Sequence, residues 1–273
     1  MKLAVVVSTH QASFEAVSFK GNVRESLAAV AAAGYDGAEL AVRNASEVNG
    51  SELMQTAESL GLEIPAVGTG QMWGEERLSL TSSEERIRVT AIERIKEHID
   101  LAAELDALVI IGLVRGVFPA PELKEASWDW LREGLRELGS AAEEKGVRIA
   151  IEAINRYETA YVNSAAEGLK LLEEVGYDSL GLLLDTFHMN IEEPDMVESI
   201  RQTGARLFHF HVADSNRWYP GAGHIDFAEL LRCLSEEGYE GYVSGEFLPE
   251  PDGPTSISEG WKNLTAIAKE LGL

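Results

Sequence analysis

Four ionisable residues in the second half of the sequence share one position relative to apolar runs. Each lies near the carboxyl end of a short aliphatic run, and the four are Glu152, Asp185, His211 and Glu246. An unpaired charge in such apolar surroundings costs several kcal/mol, so each residue needs a neutralising partner. Three carboxylates and one imidazole suit Mn²⁺, Mg²⁺ or Co²⁺ and leave room for substrate oxygens. We predict one divalent cation, Mn²⁺ first, with zinc as an alternative.

The apolar runs that carry these residues belong to a series of eight. They cover 2–9, 37–43, 63–70, 107–113, 148–154, 180–186, 207–213 and 242–248. Each has the apolar density of a strand buried on both faces. Helical patterns lie between them; one closes on Gly34, and another begins after Ser164 and ends at Gly176. This alternation predicts parallel strands joined by right-handed crossovers.

Eight such units close into an α/β fold of the (β/α)₈ TIM-barrel type, with an open doubly wound sheet as the competing fold. The first run is not followed by Gly-x-Gly-x-x-Gly, there is no Walker loop, and the glycines of GTGQMWG lead into no predicted helix. Because no linker or change of composition divides the chain, we expect a single domain, 1–273. The irregular stretches 71–82 and 114–122 would then lie at the mouth formed by the carboxyl ends of the strands.

A second set of polar residues falls in the predicted mouth loops: Glu158, His188 and Arg217. Such a set could hold the oxygens of a sugar, although each residue taken alone could be a solvated loop side chain. Arg115, in GLVRG, follows the fourth run, where a cation would suit a substrate carboxylate. The alternation of side chains along the strands points Glu39 and His209 into the barrel. We expect both to be interior hydrogen-bonding residues outside the site.

The charge balance restricts the kind of partner. The chain has 23 Lys and Arg against 46 Asp and Glu, a formal charge of −23, which would repel a nucleic acid. A small molecule is the expected partner, with neither nucleic acid nor membrane. No apolar stretch reaches the length of a membrane span, and the first run is not followed by a secretory cleavage site, so we expect a cytoplasmic protein. Cys233 is the sole cysteine, which excludes an intrachain disulfide.

Several segments resemble the xylose-isomerase-like sugar isomerase and epimerase superfamily, and within it the ketose 3-epimerases that act on D-tagatose and D-psicose. The motifs are IEAINRYET, LLLDTFHMNIEE, HFHVADSNRWYPGAGHIDF and SGEF. In the first half, VSTHQASFEAVSFKGN, GTGQMWGEERLSLT and VIIGLVRG are more similar to a branch of 5-keto-L-gluconate epimerases. This second resemblance places a keto-sugar acid beside a neutral ketose as the expected substrate.

The resemblance implies a metal-dependent epimerase that inverts the hydroxyl-bearing carbon next to a ketone. That carbon is C3 of a ketose, or C4 of a keto-sugar acid, as in the conversion of 5-keto-L-gluconate to D-tagaturonate. It implies that the four residues of the first set are metal ligands and that Glu158, His188 and Arg217 bind substrate. Related epimerases are homodimers or homotetramers, so one of these assemblies is expected.

Inversion requires a base on one face of the carbon and an acid on the other, and Glu152 and Glu246 come from two different strands. An aldose–ketose isomerase of hydroxypyruvate or a sugar phosphate could work with one base and is an alternative. So are a lyase of the inosose dehydratase type and a non-catalytic sugar sensor. A nuclease of the endonuclease IV type would need more histidines and a basic face, which this chain lacks.

Overall fold

The computed structural model describes residues 1–273 and shows a closed barrel of eight parallel strands. The strands are β1 (Lys2–Ser8), β2 (Gly37–Ala41), β3 (Ala66–Gly68), β4 (Leu108–Ile111), β5 (Ile149–Ala153), β6 (Leu180–Asp185), β7 (Leu207–Val212) and β8 (Tyr242–Gly245). They follow one another around the sheet in chain order. β1 also pairs with β8, with Lys2 opposite Tyr242 and Val5 opposite Gly245, which closes the barrel. The predicted fold class is therefore confirmed.

Nine α-helices lie between the strands, and a tenth follows β8. They are α1 (Val23–Ala33), α2 (Gly50–Ser59), α3 (Gly70–Glu76), α4 (Glu85–Leu105), α5 (Lys124–Lys145), α6 (Ala165–Val175), α7 (Thr186–Glu192), α8 (Met196–Thr203), α9 (Phe227–Glu236) and α10 (Gly253–Leu271). None of them combines the length and the apolar composition needed to cross a membrane.

Local sequence sets the ends of the helices. The Ser164 side chain accepts the backbone N–H of Glu167 at the start of α6, and Gly176 ends that helix in the left-handed region with φ of 82°. At α1 the same roles fall to Asn22 and to Gly34, whose φ is 99°. Side-chain acceptors satisfy free N–H groups at helix starts, and glycine adopts the left-handed backbone without a Cβ clash. These predicted boundaries are confirmed.

The pleat of the strands decides which side chains enter the barrel. Residues two apart on a strand point to the same face. A small apolar cluster fills the interior below the mouth, and it consists of Ala66, Leu108, Ile110, Ala150 and Leu183. Glu152 follows Ala150 by two positions, and Asp185 follows Leu183 by two. Both carboxylates therefore sit on top of this apolar layer, inside the barrel.

Some strands are shorter than the predicted runs, as at β3 with Ala66–Gly68 against 63–70, and three other differences concern the ends of strands at the mouth. Within the stretch 71–82, expected to be irregular, residues 71–76 belong to α3, which begins at Gly70 shortly after β3 and ends at Arg77 in a left-handed conformation. An additional two-residue strand, Phe19–Lys20, pairs with the end of β1. β8 ends at Gly245, so that Glu246 lies just beyond the strand, although its N–H still bonds to Val212 O.

Candidate active site

The four residues of the first set converge at the mouth of the barrel. One ligand atom from each of Glu152, Asp185, His211 and Glu246 lies within 4.8 Å of the others. Their strands β5 to β8 are consecutive neighbours in the sheet, and Asp185 stands opposite His211 in the register. Parallel strands bring equivalent positions to one level of the barrel, which explains why the regular spacing in the sequence becomes a cluster.

Asp185 is the last residue of β6 and also the N-cap of α7. Its Oδ1 accepts the backbone N–H of Phe187 at 2.7 Å, and that of His188 at 3.4 Å. Its Oδ2 is buried and has no hydrogen-bond partner. The helix start thus fixes the carboxylate through one oxygen and leaves the other free for a ligand. Burial raises the pKa of this carboxyl.

Glu39 contacts the ring nitrogen of His211 that faces away from Asp185. The Nε2 of His211 lies 3.0 Å from Glu39 Oε2, whereas its Nδ1 is buried without a partner, 3.7 Å from Asp185 Oδ2. Burial alone would lower the pKa of His211, but the Glu39 carboxylate outweighs it and raises the pKa to about 10. A carboxylate on the far nitrogen of a ligating histidine sets the orientation of its ring.

Glu39 also lies 2.8 Å from the Nε2 of His209. The expected interior hydrogen bonding of this pair is therefore confirmed. The expectation that Glu39 lies outside the site is wrong, because Glu39 binds His211 and lines the cavity. Glu39, His209 and His211 form a second group that is close enough to hold a cation. Their atoms already bind one another, whereas the group around Asp185 keeps unpartnered atoms, so the latter is the better cation site.

The carboxylates of the cluster raise one another's proton affinity. Glu152 is 6% exposed, and burial followed by repulsion from Glu246 raises its pKa well above the usual value. Burial likewise raises the pKa of Glu246, to about 7, despite the positive charges of His211 and Arg217. A divalent cation would remove this repulsion, since metal ligands bind in their deprotonated form.

Arg217 connects the cluster to the mouth loops. Its guanidinium lies 3.3 Å from Glu158 Oε1 and 3.5 Å from Glu246 Oε2. It is also positioned over the rings of Phe14 and Phe187, at 5.8 and 5.0 Å from their centroids. The backbone of Arg217 is left-handed, with φ of 61°. Such strain in a residue other than glycine is concentrated at functional sites.

His188 lies between Glu152 and the loop after β5. Its Nε2 is 3.6 Å from Glu152 Oε1, and its Nδ1 is 2.7 Å from the Nδ2 of Asn155. Burial, followed by the nearby Arg217, lowers the pKa of His188 well below its usual value, so the ring is neutral at pH 7. Together with Glu158 and Arg217, it lines the same cavity as Glu152, Glu246 and His211.

Arg115 is placed differently from the prediction. The side chain is fully buried, and its guanidinium donates to the carbonyl oxygens of Gly112, Tyr161 and Val162 at 2.8–3.3 Å. It is not among the residues that line the cavity. A guanidinium that donates three of its five N–H groups to backbone carbonyls supports the loop structure, and at 0% exposure it does not reach a substrate carboxylate in the cavity. The prediction of Arg115 as a substrate-binding residue is therefore corrected.

The comparison with protein families agrees with this geometry, because residues 27–267 match the family model described as xylose isomerase-like TIM barrel. The chain belongs to this family. It is 34% identical over 249 residues to D-psicose 3-epimerase from Ruminiclostridium cellulolyticum, covering 88% of this chain and 84% of that protein. It is 26% identical over 236 residues to 3-dehydro-D-guloside 4-epimerase from Escherichia coli, and this match covers 82% of this chain and 87% of that protein. A solved structure of L-ribulose 3-epimerase superposes on this chain with a TM-score of 0.84 at 25% sequence identity. The superposition covers 100% of this chain and 97% of that chain.

Within this xylose isomerase-like barrel, two residues of the site were not identified from the sequence: Phe14, which lines the cavity, and Asn155, which bonds to two residues that line it. Asn155 follows β5 and bonds to both Glu158 and His188. Phe14 comes from the segment between β1 and α1, which carries no pattern that would place it at the mouth. The polar residue directly after a barrel strand was a usable signal for Asn155, whereas only the folded loop reveals Phe14.

Gln71, at the start of α3, also lines the cavity and is 2% exposed. Its Nε2 donates to Ser8 Oγ at 2.9 Å, while its Oε1 has no partner. The Ser8 hydroxyl donates its own proton to the His10 carbonyl oxygen at 2.7 Å. Ser8 Oγ can therefore only accept from Gln71, which fixes the amide orientation and leaves Oε1 as the free acceptor.

Proposed function

We propose that this protein is a divalent-metal-dependent carbohydrate epimerase that inverts the hydroxyl-bearing carbon beside a ketone. The observation that carries the proposal is the convergence of two glutamates, an aspartate and a histidine within 4.8 Å, at a cavity that the glutamates and the histidine line. The named activities of the relatives support this reaction type. The reacting carbon would be C3 of a ketose, or C4 of a keto-sugar acid such as 5-keto-L-gluconate, which yields D-tagaturonate.

The residues present fit a divalent cation. Two buried atoms of the cluster, Asp185 Oδ2 and His211 Nδ1, have no hydrogen-bond partner, and buried polar atoms are rarely left in this way. With Glu152 and Glu246 they offer three carboxylates and one imidazole, a set typical of Mn²⁺, Mg²⁺ and Co²⁺ sites, with Zn²⁺ as an alternative. We propose Mn²⁺ as the native ion.

Epimerisation needs a proton removed from one face of a carbon and another delivered to the opposite face. We assign these tasks to Glu152 and Glu246, which exchange the roles of base and acid when the reaction runs backwards. A bound cation supplies a Lewis acid that stabilises the negative charge developing on the substrate oxygens. The two glutamates come from strands separated by β6 and β7, as a two-sided arrangement requires.

Three other side chains would hold the sugar. Arg217 and the neutral His188 are donors that line the cavity beside Glu246 and Glu152 respectively. Glu158, anchored by Asn155 at 2.9 Å and by Arg217, offers an acceptor for a hydroxyl. We further propose that residues 1–273 act as one catalytic domain, in a cytoplasmic homodimer or homotetramer.

The decisive experiment incubates Mn²⁺-loaded protein with a panel of ketoses and keto-sugar acids in D₂O, with products read by NMR. An epimerase retains the ketone, inverts one stereocentre and incorporates deuterium at that carbon. A ketone that moves to a neighbouring carbon would indicate an aldose–ketose isomerase, and loss of water would indicate a lyase. Tight binding without deuterium exchange would indicate a sugar sensor. Each of these three results would overturn the proposal.

A further inference from the structure

The side-chain amide of Asn155 connects two residues of the proposed sugar pocket. Its Nδ2 lies 2.9 Å from Glu158 Oε1 and 2.7 Å from His188 Nδ1. Its Oδ1 lies 3.0 Å from the backbone nitrogen of Tyr157. Because Asn155 is only 2% exposed, its side-chain oxygen and nitrogen bond to these three partners and hardly to solvent.

These partners leave the amide only one orientation. The backbone N–H of Tyr157 can only donate, so the atom that faces it must be the carbonyl oxygen Oδ1. The NH₂ group then faces Glu158 and His188, and the Glu158 carboxylate, an acceptor, agrees with this placement. The assignment of oxygen and nitrogen, often ambiguous in an asparagine, is here fixed by chemistry.

The orientation of the amide determines which nitrogen of His188 carries the proton. An NH₂ group can only donate, so His188 Nδ1 must offer its lone pair, and the ring proton is on Nε2. Nε2 lies 3.6 Å from Glu152 Oε1. The ring therefore presents an N–H donor towards the carboxylate that we assign as one of the two proton-transferring groups.

We propose that Asn155 is a positioning residue that holds His188 in the Nε2–H tautomer, so that the imidazole donates to the substrate oxygen beside the carbon served by Glu152. The catalytic consequence rests on the proposed epimerase function, whereas the tautomer itself does not. In the opposite tautomer, a lone pair would face both the Glu152 carboxylate and the substrate oxygen. Repulsion would then replace a hydrogen bond at the atom where negative charge develops.

The tautomer can be measured directly by NMR on the full-length protein labelled with ¹⁵N-histidine and loaded with diamagnetic Mg²⁺. Six histidines give six ring systems, and a His188→Phe variant assigns the one of interest. We expect a protonated Nε2 and an unprotonated Nδ1 for His188 in the wild type. A protonated Nδ1 of His188 in the wild type would overturn the proposal without any substitution of Asn155.

Two substitutions test whether Asn155 is the cause. Asn155→Asp keeps the size of the side chain but replaces the donor with an acceptor, so the ring proton should move to Nδ1. Asn155→Ala removes the constraint, so signals of both tautomers should be populated. Arg156→Ala is the matched control, because Arg156 belongs to the same loop but its exposed side chain pairs with Glu192 and not with His188. In this variant His188 should keep the wild-type tautomer. An unmoved proton in Asn155→Asp contradicts the proposal.

Kinetics separate positioning from simple structural support. We expect Asn155→Asp to lower kcat about 10-fold or more, with a smaller change in KM and unchanged Mg²⁺ affinity. A purely structural role would lower the melting temperature and leave the tautomer of the folded protein unchanged. If the proton moves but kcat stays at the wild-type value, the catalytic part is wrong. If the wild type turns over no sugar, the epimerase proposal is wrong, and the tautomer measurement still decides the role of Asn155.

Discussion

Glu152 and Glu246 can be distinguished by the epimer that each one deprotonates. If they serve opposite faces of the carbon, Glu152→Gln and Glu246→Gln should each reduce epimerisation by about 10²–10⁴-fold. Each variant should still exchange deuterium into one epimer, without inversion, through the glutamate that remains. The epimer that exchanges should differ between the two variants, and NMR in D₂O measures this.

Metal titration of the same two variants is the control, because both residues also belong to the proposed ligand set. Rates are compared at metal concentrations that saturate each variant. Exchange of the same epimer in both variants, or of neither at saturating metal, would contradict the two-base assignment.

Arg115 is expected to matter for stability more than for substrate choice. Its substitution by alanine would leave a cavity in the barrel wall and remove the side-chain donor to the carbonyls of Gly112, Tyr161 and Val162. The Gly112 and Val162 carbonyls keep a backbone N–H donor each, whereas the Tyr161 carbonyl loses its donor. We expect Arg115→Ala to lower the free energy of unfolding by about 3–5 kcal/mol, as measured by urea denaturation. The ratio of kcat/KM between keto-sugar acids and neutral ketoses should not change. A selective loss of activity towards acids would restore the original assignment.

At the scale of elements, the junction of β6 and α7 combines a helix cap with a metal ligand in one residue. Asp185→Asn keeps an oxygen that can cap α7 but places an NH₂ among the ligands. We expect its metal affinity to fall at least about 10-fold, with no loss of stability in the metal-free protein. Asp185→Ala removes the cap as well, and it should be about 1 kcal/mol less stable than Asp185→Asn.

Calorimetric titration and thermal denaturation of these two variants give both quantities. Equal stability of Asp185→Asn and Asp185→Ala would show that the contacts from Oδ1 to the start of α7 contribute nothing. Unchanged metal affinity in Asp185→Asn would exclude Asp185 from the ligand set.

At the scale of the whole molecule, stability should depend on pH and on metal in a linked way. The pKa of Glu246 is raised from 4.5 to about 7 in the folded metal-free protein because of burial, and the pKa values of Glu152 and Asp185 are raised in the same direction. A group with a raised folded-state pKa stabilises the fold fully below its unfolded pKa. It loses that contribution as pH rises through the folded pKa.

Below about pH 6.5 the lowered pKa values of the buried His98, His188 and His209 act in the opposite direction. The free energy of unfolding of the metal-free protein should therefore fall between pH 7 and pH 9, on the order of 1–3 kcal/mol. His211, whose pKa is raised to about 10, continues the trend above that range. Mn²⁺ at 100 times its dissociation constant should restore about 2.7 kcal/mol at pH 8, where the ligands are deprotonated. Melting curves across this pH range, with chelator or with Mn²⁺, test this. A metal-free melting temperature that rises between pH 7 and 9 would contradict it.

The repeating order of strand and helix could be predicted from the sequence because it depends on local information. Apolar runs buried on both faces, caps such as Ser164 and terminators such as Gly34 act over a few residues. Eight consecutive strand–helix units with right-handed crossovers are compatible with few sheet topologies, and the closed barrel is one of them. The same reasoning predicted that Glu152, Asp185 and His211 lie at one level, because each occupies an equivalent position on a parallel strand.

The tertiary structure decided what depends on contacts between distant segments. Whether Arg115 points into the cavity or into the wall depends on the carbonyls of 161 and 162, which no local pattern reveals. The proton position in His188 depends on Asn155, and the free nitrogen of His211 depends on Glu39, 172 residues away in the chain. The amino-acid sequence thus determined the barrel and the types of residue at its mouth. Hydrogen-bond partners brought together by folding decided the direction in which each side chain points and the atoms that it leaves free.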